Sequence, residues 1–549
     1  MKEKVTALLT KKTKLPLKEI ENILEIPPNL EMGDYAFPTF ILSKKLKKPP
    51  TEIALELSRE LNKKLPKEIN KIENKGPYIN FFMDKKIVIK EVISKAIESN
   101  YGQGKEKQKI LLEHTSINPN ASPHVGRARN SIIGDSIYRI LTFRGNKVER
   151  HYYVNDVSKQ IAILSLNFKK TDKFEDMLKR YVEVTKKIEA NPELEKQVFE
   201  LLEKFENKDK KTVALFKKIV DICIKGQKEI FNEFDIHFDH FDYESRYVGE
   251  SSKKLLKKLE KTGKLFTDKE NRIVLDQKNT HLIRKMRTPV FVLARSNGTG
   301  LYGLRDIAYT IDKSKFGKNI IVLGEDQKLY FEQISEVMKL LNHQPPEVVH
   351  YSFVLIQEGK EIKKMSPRRG ELVLLEEFFA EAIKKADKEI KKRKTKGNAK
   401  KIAIAAIKYA MLRNDNDKNI IFSWDQSLNF EGESGPYLQY SYARASSILR
   451  KSKNKSKLKI PDKFSKSEIE LAKKIAEFPT IVEKASTKLS PNLIANYSFQ
   501  LAQIFSEFYH ANKVIGDENE TFRLKLVEAF QNTIKNSLSL LGIEVMEKM

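Results

Sequence analysis

The sequence is poor in the residues on which disulfide, redox and many zinc proteins depend. Cys223 is the only cysteine among 549 residues, and the nine histidines show no HExxH-type spacing. One cysteine excludes an intramolecular disulfide, a cysteine-based zinc ribbon and a CxxC redox centre. This composition is typical of a reducing compartment, and we expect the protein to be cytoplasmic.

Long apolar runs and flexible repeats are also missing. The chain contains 22 glycines and 19 prolines, a smaller share than the roughly 12% of an average protein, which excludes collagen-like and low-complexity classes. No uncharged apolar run approaches the ~18 residues that a membrane span needs, and the charged N-terminus is unlike a signal peptide. We therefore expect no membrane partner.

Positive charge is in excess. The 102 lysines and arginines outnumber the 74 aspartates and glutamates, which gives a formal net charge of +28. Such an excess favours a polyanionic partner such as a nucleic acid, because basic side chains release counterions from a phosphate backbone. The alternative is a lysine-rich composition spread evenly over the surface.

Strand and helix patterns alternate through the middle of the chain and predict an α/β fold. An apolar strand at 109–117, a helix at 127–145 and a strand at 147–155 together predict a parallel sheet. Residues 160–285 are lysine-rich and mostly helical, and are predicted to be an insertion without strands before 271–276. Further sheet strands are predicted at 289–296, 319–326 and 347–356. Only helices are predicted from Leu374 onwards.

Two loops carry residues suited to phosphate chemistry. Asn118, His124 and Gly126 lie in the turn between the first strand and its helix, where a helix N-terminus offers free N–H groups. Lys364 and Ser366 belong to a KMS tripeptide in a basic loop, which suits stabilisation of a departing pyrophosphate. Each motif alone is weak, and an ordinary turn or basic loop is the usual alternative. The pair, about 240 residues apart, resembles the signature of class I aminoacyl-tRNA synthetases.

Four further segments narrow the resemblance to one family. EHTSINPNASPHVG, LYGLRDIAY, GEDQ and FEGESGPYLQYSYARASSILRK occur in the order found in the arginyl-tRNA synthetase family. The resemblance implies a Rossmann-type parallel-sheet catalytic domain split by an insertion, a small α+β N-terminal domain and an all-α C-terminal bundle. The implied domains are an N-terminal tRNA-binding domain at 1–105, the catalytic domain at 106–372 and an anticodon-binding domain at 373–549.

The resemblance also implies roles for individual residues. The guanidinium of arginine is a planar fork of donors that carboxylates match best. Tyr302 and Asp306, four residues apart and hence on one helical face, would hold it, with Gln327 as a polar contact. The alternative for Asp306 is an ordinary surface ion pair with Arg305. The other implied contacts are Glu113 and Asn118 to the backbone end of arginine, and Asn118, His124, Gly126, Arg127 and Lys364 to ATP, with His124, Lys364 and Ser366 catalytic.

A helical stripe is the candidate RNA surface. Tyr437, Tyr440 and Arg444 follow at spacings of three and four residues, so their side chains can share one face and stack with unpaired bases. A tyrosine-rich core stripe is the alternative. By resemblance, Tyr437, Arg444 and Met549 would contact the anticodon.

The implied activity is ligation of arginine to tRNA(Arg) by a monomer, with ATP and Mg²⁺ and without a resident metal. Two departures from the family pattern bear on it: Arg127 replaces the second histidine of HxGH, and Pro367 replaces the lysine after KMS. Two alternatives remain open, a different adenylate-forming nucleotidyltransferase and a catalytically silent RNA-binding paralogue.

Overall fold

The structure is a computed structural model that describes most of the chain. The residues it describes are 2–27, 30–120, 122–296, 300–358, 361–364, 373–394, 396–452 and 457–549. The strands are β1 Tyr35–Pro38, β2 Ile69–Lys75, β3 Tyr78–Met83, β4 Lys109–Glu113, β5 Lys147–Val154, β6 His240–Tyr243, β7 Leu265–Thr267, β8 Ile273–Asp276, β9 Val290–Ala294, β10 Lys318–Gly324, β11 Glu347–Tyr351, β12 Val354–Glu358, β13 Glu361–Lys364 and β14 Ile420–Phe422. The helices are α1 Lys2–Thr13, α2 Leu17–Ile23, α3 Phe40–Leu46, α4 Pro50–Asn62, α5 Lys85–Ala96, α6 Val125–Phe143, α7 Lys159–Ser165, α8 Phe174–Ala190, α9 Glu193–Glu206, α10 Lys210–Glu233, α11 Glu250–Glu260, α12 Tyr302–Ser314, α13 Lys328–Leu340, α14 Leu375–Arg393, α15 Ala399–Leu412, α16 Trp424–Ser427, α17 Gly435–Lys451, α18 Lys466–Lys488, α19 Asn492–Ala511 and α20 Glu520–Leu540. None of the helices in these residues is long and apolar enough to cross a membrane.

The chain forms two compact units. The first consists of Met1–Tyr101, Ile448–Glu477 and Ile504–Thr533, and the second of Gly102–Ser447, Phe478–Gln503 and Ile534–Met549. In the first unit, an antiparallel sheet has the strand order β1–β3–β2. Its buried side chains, among them Phe37 and Phe81, pack in one core with residues of α1, α2 and α4. This arrangement confirms the small α+β domain expected at the N-terminus.

A parallel sheet is the centre of the second unit. Its strand order is β11–β10–β4–β5–β6, and all neighbouring strands run parallel. β10 and β4 are almost continuously apolar and buried, as strands covered on both faces must be. The chain leaves β4 on one side towards β5 and β6, and later returns on its other side through β10 and β11. The carboxyl ends of β4 and β10 therefore form a switch point, where α/β sheets bind ligands.

The predicted parallel-sheet fold is confirmed, but three strand predictions are wrong. The segment 160–285 is not an uninterrupted insertion, because β6 within it pairs with β5 as the fifth strand. β9 does not join the parallel sheet and instead pairs antiparallel with β8. The predicted strand at 347–356 is two strands, β11 and β12, which belong to different sheets. The three errors share one physical cause. Tertiary packing decides which strands pair with each other, and the local sequence does not encode that pairing.

Two further corrections concern the end of one strand and the presence of another. The predicted strand at 109–117 stops at Glu113, because Thr115 and Ser116 adopt left-handed backbone angles (φ 72° and 41°). The C-terminal region is not wholly helical, because β14 pairs in parallel with β12.

Cys223 is buried in the helical cluster of α7–α10, and burial raises the pKa of its thiol to about 12. That thiol is therefore an unreactive core residue.

Candidate active site

The backbone just after β4 is held in an unusual conformation. Left-handed angles at two successive residues that are not glycine cost roughly 1–2 kcal/mol each, and a β-branched threonine is a clear outlier there. The Thr115 N–H donates to Asn130 Oδ1 at 2.7 Å, and the Thr115 hydroxyl donates to Ser131 at 2.9 Å. Asn130 in turn donates to the carbonyl of Val322 in β10 at 2.9 Å. Helix α6 thus fixes the loop at the switch point, where strain of this kind often marks a functional site.

Asn118 lies in the same loop and is anchored through its backbone. Its carbonyl accepts a hydrogen bond from Gln227 Nε2 at 3.1 Å, while Gln227 Oε1 accepts one from the Tyr152 hydroxyl at 2.7 Å. The Ile117 N–H also donates to that hydroxyl, at 3.1 Å. These contacts fix the backbone of the loop at Asn118, whose side chain is half-buried.

His124 occupies the N-cap position of α6, at the carboxyl edge of the sheet, without a capping hydrogen bond from its side chain. Its Nδ1 is buried and has no hydrogen-bond partner among the described residues. Burial, reinforced by the charge of Arg127, lowers the pKa of His124 to about 4, so its imidazole is neutral at pH 7. Gly126 and Arg127 follow in the first turn, both half-buried. A neutral imidazole and a helix N-terminus together suit an anionic oxygen.

The segment that follows the KMS loop is joined to this turn. The Val125 N–H donates to the carbonyl of Val373 at 3.1 Å, and the Leu375 N–H donates to the carbonyl of Pro123 at 2.8 Å. His124 and Leu374 accordingly form an antiparallel bridge. Lys364 ends β13, and its side chain lies outside the described residues, as does the whole of Ser366. The backbone of the first motif is therefore linked to the segment 373–375, which follows the KMS loop in the chain.

Asp306 and Tyr302 lie on one face of α12 and meet the same residue of α13. The Tyr330 hydroxyl donates a hydrogen bond to Asp306 Oδ2, and the Tyr302 ring lies 5.3 Å from the Tyr330 ring. Burial raises the pKa of Asp306 to about 6, the hydrogen bond from Tyr330 lowers it, and the negative charge of Glu113 raises it further. Tyr302 is 57% exposed, so this face is open to solvent beside the carboxylate.

More carboxyl groups surround Asp306 than its neighbouring arginine can neutralise. Arg305 is buried and donates from Nε to Glu244 Oε1 at 2.5 Å, with Glu206 Oε1 at 3.8 Å from its Nη1. The alternative surface pair between Arg305 and Asp306 is therefore wrong. Burial raises the pKa of Glu244, of Glu206 and of Asp156, and the charge of Arg305 lowers it in each case. We call Asp156, Glu206, Glu244 and Asp306 the acidic cluster.

Glu113 is held by a second buried cation. Its carboxylate pairs with Lys313 of α12, and both side chains are almost fully buried. Lys313 Nζ also lies 4.2 Å from the centre of the Tyr309 ring. The other carboxylate oxygen of Glu113 lies 3.4 Å from the Ser116 hydroxyl. Glu113 therefore places a carboxylate at the switch point, with Oε2 on Lys313 and Oε1 facing the Ser116 hydroxyl.

The remaining predicted contacts are more scattered. Gln327 ends a single helical turn after β10, and its side chain amide lies 3.4 Å from Asp326. Arg444 stacks on Tyr440, with 4.8 Å from the guanidinium carbon to the ring centre, while the Tyr437 ring lies 5.8 Å from that of Phe499. Met549 packs against an apolar cluster that includes Ile390 and Phe430.

Sequence reasoning missed several residues of this site. Tyr330, Glu244 and Lys313 contact Asp306, Arg305 and Glu113 respectively, from positions between 24 and 200 residues away. No local spacing marks these pairs. The one available signal is a charged residue within an apolar segment, because a charge that is buried there needs a partner of opposite sign.

The comparison with protein families covers most of the chain. Residues 89–424 match the model of tRNA synthetases class I (R), catalytic domain, and residues 438–549 match the DALR anticodon binding domain. Residues 1–83 match the arginyl tRNA synthetase N terminal domain. The chain belongs to the arginyl-tRNA synthetase family.

Curated and solved members of the family are similar over the full length. The arginine–tRNA ligase of Methanocaldococcus jannaschii is 37% identical over 97% of this chain and 96% of its own. That of Clostridium perfringens is 35% identical over 97% of each. The solved arginyl-tRNA synthetase of Thermus thermophilus superposes with a TM-score of 0.81 at 26% identity, covering 100% of this chain and 99% of the other. The resemblance inferred from the motifs is confirmed.

Proposed function

We propose that this chain ligates L-arginine to tRNA(Arg) in two steps. The arginine carboxylate attacks the α-phosphorus of ATP, which forms arginyl-adenylate and releases pyrophosphate. The 2′-hydroxyl of the terminal adenosine of tRNA then attacks the carbonyl of the adenylate, which forms the ester and releases AMP. The chain contributes positioning and charge stabilisation, without a covalent enzyme intermediate.

The observation that carries the arginine specificity is the surplus of carboxyl groups around Asp306. The four carboxyl groups of the acidic cluster share the guanidinium of Arg305, with Arg295 acting on Glu206 alone among the described residues, and burial raises the pKa of all four. A bound guanidinium would supply the missing positive charge and match a carboxylate with two parallel hydrogen bonds. We assign this contact to Asp306, with Tyr302 and Gln327 beside it, and the α-amino end of arginine to Glu113 and Asn118.

ATP handling is assigned to the two motif loops. His124 Nδ1, which is buried and has no hydrogen-bond partner among the residues that the structure describes, fits a phosphate oxygen, and Gly126 and the following N–H groups allow its close approach. Arg127 and Asn118 border the same turn, and Lys364 and Ser366 would complete the contact from the KMS loop. Mg²⁺ would enter with ATP as part of the substrate and neutralise phosphate charge.

The helical part of the chain is assigned to the tRNA. The match to an anticodon-binding model over 438–549 and the net charge of +28 support this assignment. Tyr437, Arg444 and Met549 are the proposed anticodon contacts. We retain domains at 1–105, 106–372 and 373–549, a cytoplasmic monomer and no membrane partner as parts of the same proposal.

The test is ATP–pyrophosphate exchange with each of the twenty amino acids, with and without tRNA, followed by aminoacylation of tRNA. We expect exchange and charging with arginine. Lysine is the decisive competitor, because it has the same charge without the donor fork, and we expect it to be disfavoured by about 10⁴-fold. Exchange with a different amino acid would indicate another adenylate-forming enzyme. No exchange with any of them would favour a silent RNA-binding paralogue.

A further inference from the structure

Three metal-ligating side chains converge at the edge of the parallel sheet, apart from the residues assigned to substrates. Glu149 and His151 are two residues apart in β5 and so project from one face of the sheet. His240 begins β6 and is the direct neighbour of His151 across the strands. One ligand atom from each residue lies within 4.8 Å of the other two.

The distances suit a small divalent ion. Glu149 Oε2 lies 3.6 Å from His240 Nε2 and 3.9 Å from His151 Nε2. Ligands at the corners of a tetrahedron around zinc, with bonds of about 2.0–2.1 Å, are about 3.4 Å apart. These two distances exceed that separation by only a few tenths of an ångström, and the ligand atoms of His151 and His240 lie within 4.8 Å of each other, so the two imidazoles must also turn towards the ion. The two imidazole rings are also stacked, with centres 4.6 Å apart.

The state of His151 is an independent indication of a ligand. Its side chain is 9% exposed, and its Nε2 is a buried polar atom without a hydrogen-bond partner in the described part of the chain. Such atoms are rare because an unmade hydrogen bond costs roughly 1–3 kcal/mol. The opposite ring nitrogen, Nδ1, lies 2.7 Å from Asp242 Oδ2. A carboxylate on the far nitrogen is the arrangement that orients a metal-binding histidine and fixes its tautomer.

We propose that Glu149, His151 and His240 bind a divalent transition-metal ion of the zinc class. Two imidazoles and one carboxylate are ligands that such ions prefer, while Mg²⁺ and Ca²⁺ prefer all-oxygen sites. Glu149 and His240 are 43% and 49% exposed, so the ion can enter from solvent. The fourth coordination position is left to water.

The proposed ion would bridge β5 and the edge strand β6, which leads directly into the acidic cluster. β6 is only four residues long and ends at Tyr243, and the next residue, Glu244, binds Arg305 in the acidic cluster. Asp242, which orients His151, also accepts a hydrogen bond from Tyr309 of α12 at 2.8 Å. A metal bridge between β5 and β6 therefore stabilises the strand from which Glu244 is presented. Its expected role is structural, with no part in the chemical steps.

The experiment is a titration of the untagged, full-length protein with Co²⁺, followed by visible absorption and then displacement with Zn²⁺. We expect about one Co²⁺ per chain, with the d–d bands of a low-coordinate nitrogen–oxygen site, and a higher thermal midpoint in saturating Zn²⁺. Glu149→Gln and His240→Gln should abolish this spectrum. Asp242→Asn should weaken binding by about 10- to 100-fold.

His237→Gln is the matched control. His237 is a similarly exposed histidine (48%) shortly before β6, and its contacts are with Asn232 and Asp235. It should retain the full spectrum. The proposal is overturned if no stoichiometric binding occurs, or if His240→Gln binds as the parent does. Because His240 is exposed and its replacement should leave the fold intact, circular dichroism of that variant separates lost ligation from unfolding.

Discussion

Arg305 donates from Nε to Glu244 Oε1 at 2.5 Å, and this ion pair is almost entirely buried. The pair explains why Asp306, the next residue, is suited to a substrate. The guanidinium of Arg305 is directed to Glu244 and Glu206, so the Asp306 carboxylate receives the Tyr330 hydroxyl and remains only partly compensated. Its raised pKa, about 6, is the electrostatic sign of that arrangement.

The pH–activity profile should fall on its acidic side, and the pKa of Asp306 should set the position of that fall, which we call the acidic limb. Below pH 6 this carboxyl is protonated in the free protein and no longer attracts a guanidinium, so kcat/KM for arginine should fall about tenfold per pH unit. The charged and polar groups that act on it include Tyr330, Glu113, Arg305, Tyr153 and Glu244. Calorimetry of arginine binding at pH 6 in two buffers of different ionisation enthalpy should show net proton release. Proton uptake would contradict this assignment.

Tyr330→Phe should move that limb to higher pH. The hydrogen bond from the Tyr330 hydroxyl lowers the pKa of Asp306, and its loss should raise the apparent pKa by about one unit. The control is Tyr302→Phe, which keeps the ring contact with Tyr330 and should leave the position of the limb unchanged. A limb that does not move in Tyr330→Phe would show that another group sets it.

The carboxylate of Asp306 should reduce stability when no substrate is bound. Its folded pKa is above the ordinary value of 3.8, so ionisation destabilises the folded state as pH rises from about 4 to 6, and the full penalty applies above 6. At pH 8 the free energy of unfolding of Asp306→Asn should therefore exceed that of the parent by on the order of 1 kcal/mol. The variant should accordingly unfold at a higher temperature. The difference should shrink at pH 4. Thermal denaturation at both pH values without ligands measures it, and a variant less stable at pH 8 would refute the argument.

Lys313→Met should be strongly destabilising. It leaves the nearly buried carboxylate of Glu113 without its partner, which costs roughly 3–5 kcal/mol. Lys315→Met is the control, because this nearby lysine pairs with Asp312 at an exposed site and should cost less than about 1 kcal/mol. Urea denaturation compares the two. Adding Glu113→Gln to Lys313→Met should recover much of the loss, and no recovery would mean that the pair is not the cause.

The sequence was informative where local pattern decides the structure. Strand β10 and the helix between Val125 and Phe143 were predicted nearly at their observed positions, and β4 begins where it was predicted to begin. The pairing of the two motifs in the sequence is consistent with the bridge between His124 and Leu374, which joins the first motif to the segment that follows the second.

The remainder depends on contacts between distant residues. β6 has a half-exposed polar pattern, HFDY, that resembles a loop. The left-handed angles at Thr115 are imposed by its hydrogen bonds to Asn130 and Ser131 in α6. Tyr330 reaches Asp306 only because α12 and α13 pack together. None of these features has a signal in the residues around it.

The most direct test of the arginine site is the exchange activity of Asp306→Asn beside that of Asp312→Asn. Asp312 is on the same helix, is 49% exposed and pairs with Lys315, so its replacement should leave exchange near the parental rate. Asp306→Asn removes the charge while keeping the size, and should lower arginine- and tRNA-dependent ATP–pyrophosphate exchange by at least about a thousandfold with an unchanged circular dichroism spectrum. Near-normal exchange in Asp306→Asn would contradict the assignment of the substrate guanidinium to this carboxylate.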